Sequence, residues 1–228
     1  MAVKAVIFDW GGTLTPWHTV DHVALWREVC AEHFPEEEIS ERTASAIRVA
    51  ETELWVAAEH EHRSATMDHV FERAGVSPTA EFMASYFKAW EPHTLTDPDA
   101  PGLLRRLRGR GIRIGVLSNT MWPRQVHQQI FVRDGIDGLI DGAVYSSEID
   151  WTKPHPEAFR AAMAAVGADD PAACVFVGDR PYDDVYGAKQ AGLRAVLVAN
   201  SEVPAFADAE PDAVITRLAD LGPLIESW

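Results

Sequence analysis

The chain has 228 residues, of which 47% are hydrophobic, and this is ample for a buried core in one domain or in a domain with a sizeable insertion. Its formal net charge of -15 opposes binding to polyanions, and the sequence has no basic stripe strong enough to overcome that charge, so we expect no nucleic-acid partner. The densest basic run is predicted to be the solvated face of a helix and comprises Arg105, Arg106, Arg108 and Arg110.

Cysteine usage and the amino terminus bear on the cellular compartment. Cys30 and Cys174 are far apart in the chain and are predicted to be buried free thiols, which is typical of a reducing compartment. The amino terminus enters an apolar run without the features of a signal peptide, and no apolar run approaches the roughly 20 residues of a membrane span. We therefore expect a cytoplasmic protein without a membrane partner, and the sequence leaves the oligomeric state open.

Short apolar runs separated by helical patterns predict the core. Residues 101–107 and 156–166 each form a helical pattern that begins with proline and ends near glycine. Strands that alternate with helices indicate an α/β fold, here a Rossmann-like, doubly wound parallel sheet that is buried on both faces. In chain order the predicted strands are 3–8, 112–117, 174–177, 195–198 and, more weakly, 213–215.

About a hundred residues separate the first two predicted strands, which is far more than an ordinary connection requires. Apolar residues recur there at spacings of three and four in 21–34, 37–59, 67–74 and 80–90, and these patterns predict four amphipathic helices. We expect a helical cap domain at 17–93, inserted into a core domain made of 1–16 and 94–228. Aromatic residues in the insertion are more typical of its own core than of a cofactor site.

Polar residues follow the predicted strands at the edge of the sheet where ligands usually bind. Carboxylates crowded at such an edge repel one another unless a cation holds them. Some of these residues also have a purely structural explanation, as a helix start or as first-turn acids that the helix dipole favours. The strand-end residues are Asp9, then Ser118 and Asn119, then Asp179, Arg180, Asp183 and Asp184, with Lys153 in a loop before a helix.

Four motifs in this order resemble those of the haloacid dehalogenase (HAD) superfamily of hydrolases with a helical cap after the first strand. They are DWGGT at 9–13, the strand that ends in Ser118, Lys153 before Pro154, and GDRPYDD at 178–184. The resemblance covers nearly the whole chain. It implies a Mg²⁺-dependent phosphatase that acts on a small phosphorylated metabolite through an aspartyl-phosphate intermediate.

The resemblance also implies residue roles. Asp9 would be the nucleophile, with Ser118 and Lys153 as further catalytic groups. The metal ligands would be Asp9, the backbone carbonyl of Gly11, Asp179 and Asp184. The substrate would be bound by Ser118, Asn119 and Lys153, with Gly12 and Thr13 of the nucleophile loop and with His18 just beyond it.

Gly11 departs from the family pattern, because metal-dependent phosphatases of this kind carry an aspartate there as general acid and base, and glycine cannot move a proton. Possible substitutes are His18, Glu59, His60 and His62. One alternative is a 2-haloacid dehalogenase, a kind of member that needs no metal and lacks the aspartate at 179. Another is a phosphonoacetaldehyde hydrolase, which shares a tryptophan after the nucleophile but needs a cap lysine, for which Lys88 is the candidate. The third is a non-catalytic protein that binds metal or phosphate.

Overall fold

A computed structural model describes residues 2–200 and 202–228 of the chain. Six parallel strands form a sheet in the order β3-β2-β1-β4-β5-β6, which confirms the predicted α/β fold. The change of direction at the central strand β1 leaves a crevice at the carboxyl ends of the strands. The strands are β1 Ala5–Phe8, β2 Arg113–Ser118, β3 Gly142–Tyr145, β4 Cys174–Gly178, β5 Arg194–Val198 and β6 Ala213–Ile215.

Strand β3 was missing from the sequence prediction, because it is only four residues long and begins with glycine. It pairs with β2, with Ala143 opposite Val116. A side chain at Gly142 would overlap the backbone carbonyl of Ala165, so glycine is required where this edge strand meets the following helix. The weakly predicted strand β6 is present at the opposite edge.

Helices cover both faces of the sheet, and the alternation of side chains along β1 shows this directly. Val6 and Phe8 belong to one hydrophobic cluster, whereas Ala5 and Ile7 belong to a second cluster on the other face. The first cluster includes residues of α5 Ala100–Gly109, α6 Arg124–Arg133 and α9 Leu221–Glu226, and the second includes residues of α7 Pro156–Ala165 and α8 Gly187–Gln190.

Four helices lie between β1 and β2, and we call them the helical insertion: α1 His22–His33, α2 Glu37–Glu61, α3 Met67–Ala74 and α4 Ala80–Trp90. Asp21 caps α1 by accepting hydrogen bonds from the backbone N–H groups of Val23 and Ala24. Trp26 is buried and stacks on Tyr86, with ring centroids 4.4 Å apart, so aromatic residues do form the core of the insertion.

Three further expectations concern cysteines, membranes and the basic run. Cys30 and Cys174 are buried free thiols, as predicted. None of the helices in the described parts of the chain is long and apolar enough to cross a membrane. Arg106 and Arg110 form ion pairs with Glu226 on the outer surface of α5.

Candidate active site

Asp9 lies at the carboxyl end of the central strand and is buried. Its backbone N–H donates to the carbonyl of Val177 at 2.8 Å, which fixes it against β4. The chain then turns sharply, because Gly12 has φ of +85° and the carbonyl of Trp10 accepts two hydrogen bonds from Thr15. The turn leaves the Asp9 carboxylate at the crevice of the sheet.

Lys153 joins two carboxylates at this point. Its Nζ donates to Oδ1 of Asp9 and to Oδ1 of Asp184, each at 2.6 Å, and the lysine is buried. Burial alone would lower the pKa of Lys153, but the negative charges of Asp184 and Asp9 outweigh it and raise this pKa above its usual value. The ammonium group therefore stays charged and holds both carboxylates in place.

Asn119 fixes the loop that carries Lys153. Its side-chain oxygen accepts from the backbone N–H of Lys153 at 2.8 Å, and its side-chain nitrogen donates to the carbonyl of Lys153 at 3.0 Å. The neighbouring Ser118 is the last residue of β2. It is buried, and it lines a cavity above this edge of the sheet, which is described below. The Asn119 side chain thus positions Lys153, which leaves Ser118 and the backbone near Asn119 for a ligand.

Asp179 and Asp184 complete an acidic cluster with Asp9. Oxygen atoms of the three carboxylates lie within 4.8 Å of one another. Asp179 is only 1% exposed, and neither of its side-chain oxygens has a hydrogen-bond partner within the described residues. The backbone of Gly12 passes so close that a Cβ there would lie 2.5 Å from Oδ2 of Asp179. Burial of the Asp179 carboxylate without hydrogen bonds is costly in free energy unless a cation lies beside it.

Burial and mutual repulsion raise the pKa values of carboxylates in the acidic cluster and of the adjacent Asp183. Burial and the charges of Asp9 and Asp184 raise the pKa of Asp179 to about 8. Burial, together with the charge of Asp184, raises the pKa of Asp183 to about 6. Burial also raises the pKa of Asp9, although Lys153 opposes that effect. A bound divalent cation would reverse these shifts and keep the carboxylates ionised.

A cavity of about 410 Å³ opens above these residues, between the sheet edge and the helical insertion. This volume lies in the range of sites for small molecules. The sheet edge contributes Asp9, Gly11, Ser118, Asn119, Lys153, Arg180 and Asp183 among others, and the insertion contributes His22, Arg48, Glu51, Trp55, Ala58, Glu59, Met67, Tyr86 and Trp90.

Three of the predicted substrate-binding residues do not line this cavity. Gly12 faces Asp179 instead, and Thr13 is buried with its hydroxyl unpartnered within the described residues. His18 is exposed and lies against His93, with ring centroids 5.5 Å apart. His18 is displaced because its segment turns towards Glu202, which accepts hydrogen bonds from Trp17 and Thr19.

The other proposed substitutes for an acid at position 11 have different positions. Glu59 lines the cavity. His60 and His62 do not, and His62 instead meets the hydroxyl of Tyr182 at 3.4 Å. Lys88, considered as a Schiff-base lysine, does not line the cavity either.

Sequence reasoning missed the polar residues that the insertion contributes. Arg48 and Glu51 of α2 and His22 of α1 line the cavity together, and the Glu51 carboxylate lies 3.1 Å from Nη1 of Arg48 and 3.6 Å from Nδ1 of His22. A signal was present in the sequence: Glu51 falls on the buried stripe of α2 that contains Ala44, Ile47 and Ala58. A glutamate on an apolar stripe needs partners, and here they are a histidine, an arginine and a tryptophan.

Comparison with known proteins identifies the family. A model of the haloacid dehalogenase-like hydrolases matches residues 3–192. The chain is 32% identical over 161 residues to a phosphoserine phosphatase from Thermus thermophilus, in an alignment that covers 70% of this chain. The chain spans 62% of that relative's length, which is less than two thirds.

Solved structures of two kinds of enzyme share the fold. One is a HAD phosphatase from Thermococcus onnurineus, with a TM-score of 0.69 and 21% identity. The other is the L-2-haloacid dehalogenase from Xanthobacter autotrophicus, with a TM-score of 0.67 and 22% identity. Each similarity covers 98% of both chains. At these identities the similarity shows the fold, which phosphatase and dehalogenase have in common. Since the family match extends over most of its length, the chain belongs to the haloacid dehalogenase-like hydrolases.

Proposed function

We propose that the protein is a Mg²⁺-dependent phosphatase that transfers the phosphoryl group of a small phosphorylated metabolite to Asp9 and then to water. The observation that carries this proposal is the buried carboxylate of Asp179, which lies beside Asp9 and Asp184 and whose two oxygens have no hydrogen-bond partner in the described part of the chain. The phosphatase name of a relative that is 32% identical also supports it.

The residues fit a magnesium ion. Mg²⁺ prefers oxygen ligands and is usually bound through one or two carboxylates together with waters and substrate phosphate. Asp9, Asp179, Asp184 and the backbone carbonyl of Gly11 would hold the ion. When bound, it would withdraw negative charge from the phosphoryl oxygens and relieve the repulsion among the carboxylates.

The remaining chemistry belongs to side chains of the chain itself. A carboxylate oxygen of Asp9 forms a bond to phosphorus while the bond from phosphorus to the leaving oxygen breaks, which gives the aspartyl-phosphate. Water then attacks this phosphorus, releases inorganic phosphate and restores the Asp9 carboxylate. Lys153 and Ser118 would bind the phosphoryl oxygens in both steps.

The glycine at position 11 limits which phosphate compounds can react rapidly. Because glycine carries no acid, a leaving alkoxide would depart without a proton from this position, so acyl and aryl phosphates should react faster than alkyl phosphates. Of the four substitutes predicted from the sequence, Glu59 is the one that lines the cavity, so it is the candidate proton donor.

The helical insertion would act as a cap over Asp9, with residues 17–93 as the cap domain and 1–16 with 94–228 as the core domain. Backbone hydrogen bonds hold the insertion against the loop before Lys153: the N–H of Thr152 donates to the carbonyl of His62 at 3.0 Å, and that of Ser64 to the carbonyl of Asp150 at 3.2 Å. A cap that closes in this way would exclude water from the first transfer.

A substrate screen tests the proposal. Phosphate monoesters, acyl phosphates and 2-haloacids are incubated with wild type and with Asp9→Asn, in Mg²⁺ and in chelator. We expect hydrolysis of phosphate compounds that needs both Mg²⁺ and Asp9. Dehalogenation that persists in chelator would replace this function with that of a 2-haloacid dehalogenase, and phosphate binding without any turnover would indicate a non-catalytic protein.

A further inference from the structure

Arg48 of α2 places a cation in the part of the cavity that the helical insertion forms. Its side chain is 32% exposed, and it lines the same cavity as Asp9 and Lys153. Among the described residues of the insertion, Arg48 is the single basic side chain (lysine or arginine) that lines the cavity. The phosphatase proposal gives this residue no role.

A buried carboxylate fixes the position of Arg48. Glu51 is only 4% exposed, and it accepts from Nη1 of Arg48 at 3.1 Å and from Nε1 of Trp26 at 3.2 Å. Nδ1 of His22 lies 3.6 Å from the same carboxylate oxygen. Burial alone would raise the pKa of Glu51, but His22, Trp26 and Arg48 together lower it, so the carboxylate is ionised and orients the guanidinium.

Most of the side-chain N–H donors of Arg48 have no hydrogen-bond partner among the described residues. A guanidinium has five N–H donors, and within residues 2–200 and 202–228 Arg48 makes one side-chain hydrogen bond, from Nη1 to Glu51. The planar fork of arginine suits a carboxylate or phosphate group, to which it can donate two parallel hydrogen bonds. An anion that enters the cavity would therefore find unused donors on a preoriented cation.

The cavity that contains Arg48 is also lined by aromatic side chains, which are Trp55, Tyr86, Trp90 and Trp122. Lys153, which lines the cavity from the sheet edge, is already shared by two carboxylates. We propose that Arg48 binds a second anionic group of the substrate, a carboxylate or second phosphate, which is separated from the transferred phosphoryl group by an apolar or aromatic spacer. This inference rests on the proposed phosphatase function and names its substrate class.

Binding of stable phosphonates tests the subsite without any turnover. The probes are alkylphosphonates with spacers of two to five carbon atoms that end in a carboxylate, in a neutral carbamoyl group or in a second phosphonate. Affinities are measured by calorimetry in Mg²⁺ on wild type, Arg48→Met, Arg48→Lys and Arg42→Met. Arg42 is exposed on the same helix and does not line the cavity, so it is the matched control.

We expect wild type and Arg42→Met to bind an anionic probe about 10- to 100-fold more tightly than its carbamoyl counterpart at the best spacer length. This preference should fall close to one in Arg48→Met and take an intermediate value in Arg48→Lys, which keeps the charge but not the fork. The better of the two anionic end groups identifies the one that the substrate carries.

Equal affinity of wild type for charged and neutral probes would overturn the inference, and so would a preference that survives unchanged in both Arg48 variants. Failure of the phosphatase proposal looks different. In that case phosphate esters are not hydrolysed. The preference of the binding site for charged over neutral phosphonates can still be measured, and it still tests whether Arg48 binds an anionic group.

Discussion

If the proposed phosphatase function holds, the substitution Gly11→Asp should raise the rate of hydrolysis and weaken its dependence on the leaving group. An ideal Cβ at Gly11 meets no atom within 4 Å, and Gly11 is not among the glycines with positive φ. A Cβ therefore fits there, and Gly11 lines the same cavity as Asp9. The new carboxylic acid could protonate the leaving oxygen and then activate water.

The size of the effect follows from general acid–base catalysis, which contributes about 10²- to 10⁴-fold. This range corresponds to a barrier lowered by about 2.7–5.5 kcal/mol. Alkyl phosphates should gain most of it, because their leaving groups need the proton, whereas acyl phosphates should gain little. The assay is kcat/KM for a series of phosphate esters with graded leaving-group pKa, measured in Mg²⁺ on wild type and Gly11→Asp.

Two variants control for space and strain. Gly11→Ala adds the same Cβ without an acid and should leave both the leaving-group slope and the free energy of unfolding nearly unchanged, the latter within about 1 kcal/mol. Gly12→Ala should destabilise the fold, since its φ of +85° and a Cβ placed 2.5 Å from Asp179 are both unfavourable. A flat slope in wild type, or an unchanged slope in Gly11→Asp, would refute the assignment of the missing acid to position 11.

Three other substitutions or measurements follow from the same structure. Lys153→Met leaves two buried carboxylates without their cation, so urea unfolding without Mg²⁺ should show a loss of about 3–5 kcal/mol, and a loss below about 1 kcal/mol would contradict the pairing. Burial lowers the pKa of His127 to about 3, so only the unfolded chain binds this proton between pH 6 and pH 4. The free energy of unfolding should therefore fall by up to about 1.4 kcal/mol per pH unit more in wild type than in His127→Phe, and equal slopes would argue against a neutral buried histidine. Segments 15–20 and 90–96, where the chain leaves and rejoins the core, should exchange amide hydrogens faster than β1 and slow down when a phosphate analogue closes the cap; indifference to the analogue would argue against hinges there.

The part of the candidate site at the sheet edge could be predicted because it depends on strand ends. Asp9, Ser118 and Asp179 each follow a buried apolar run, and parallel strands bring such positions to one edge of the sheet whatever the details of packing. The contacts of Lys153 with Asp9 and Asp184 do not follow from the strand pattern, because Lys153 lies in a loop, and the structure shows them directly.

The part of the cavity formed by the helical insertion could not be predicted in the same way. The 25 residues of α2 show which stripe is apolar, but not which other residues face a cavity formed with a distant part of the chain. Arg48 is half-buried and pairs with Glu51 one turn along the same helix. The contact of Glu51 with His22, and the cavity that these residues line, depend on how α1 and α2 pack. The sequence could not show the position of His18 for a similar reason. Trp17 and Thr19 donate hydrogen bonds to Glu202, which is distant in the chain, and His18 does not line the cavity.

The central claim is that Asp9 carries the phosphoryl group, and trapping that species tests it most directly. Because Gly11 offers no base to activate water, the aspartyl-phosphate should hydrolyse slowly and accumulate with a reactive donor. Wild type and Asp9→Asn are mixed with acetyl phosphate and Mg²⁺ and quenched in acid, and their peptides are analysed by mass spectrometry. We expect the peptide that contains Asp9 to gain one phosphoryl group in wild type alone. Hydrolysis of acetyl phosphate by wild type without this modification, or at the same rate in Asp9→Asn, would contradict the account.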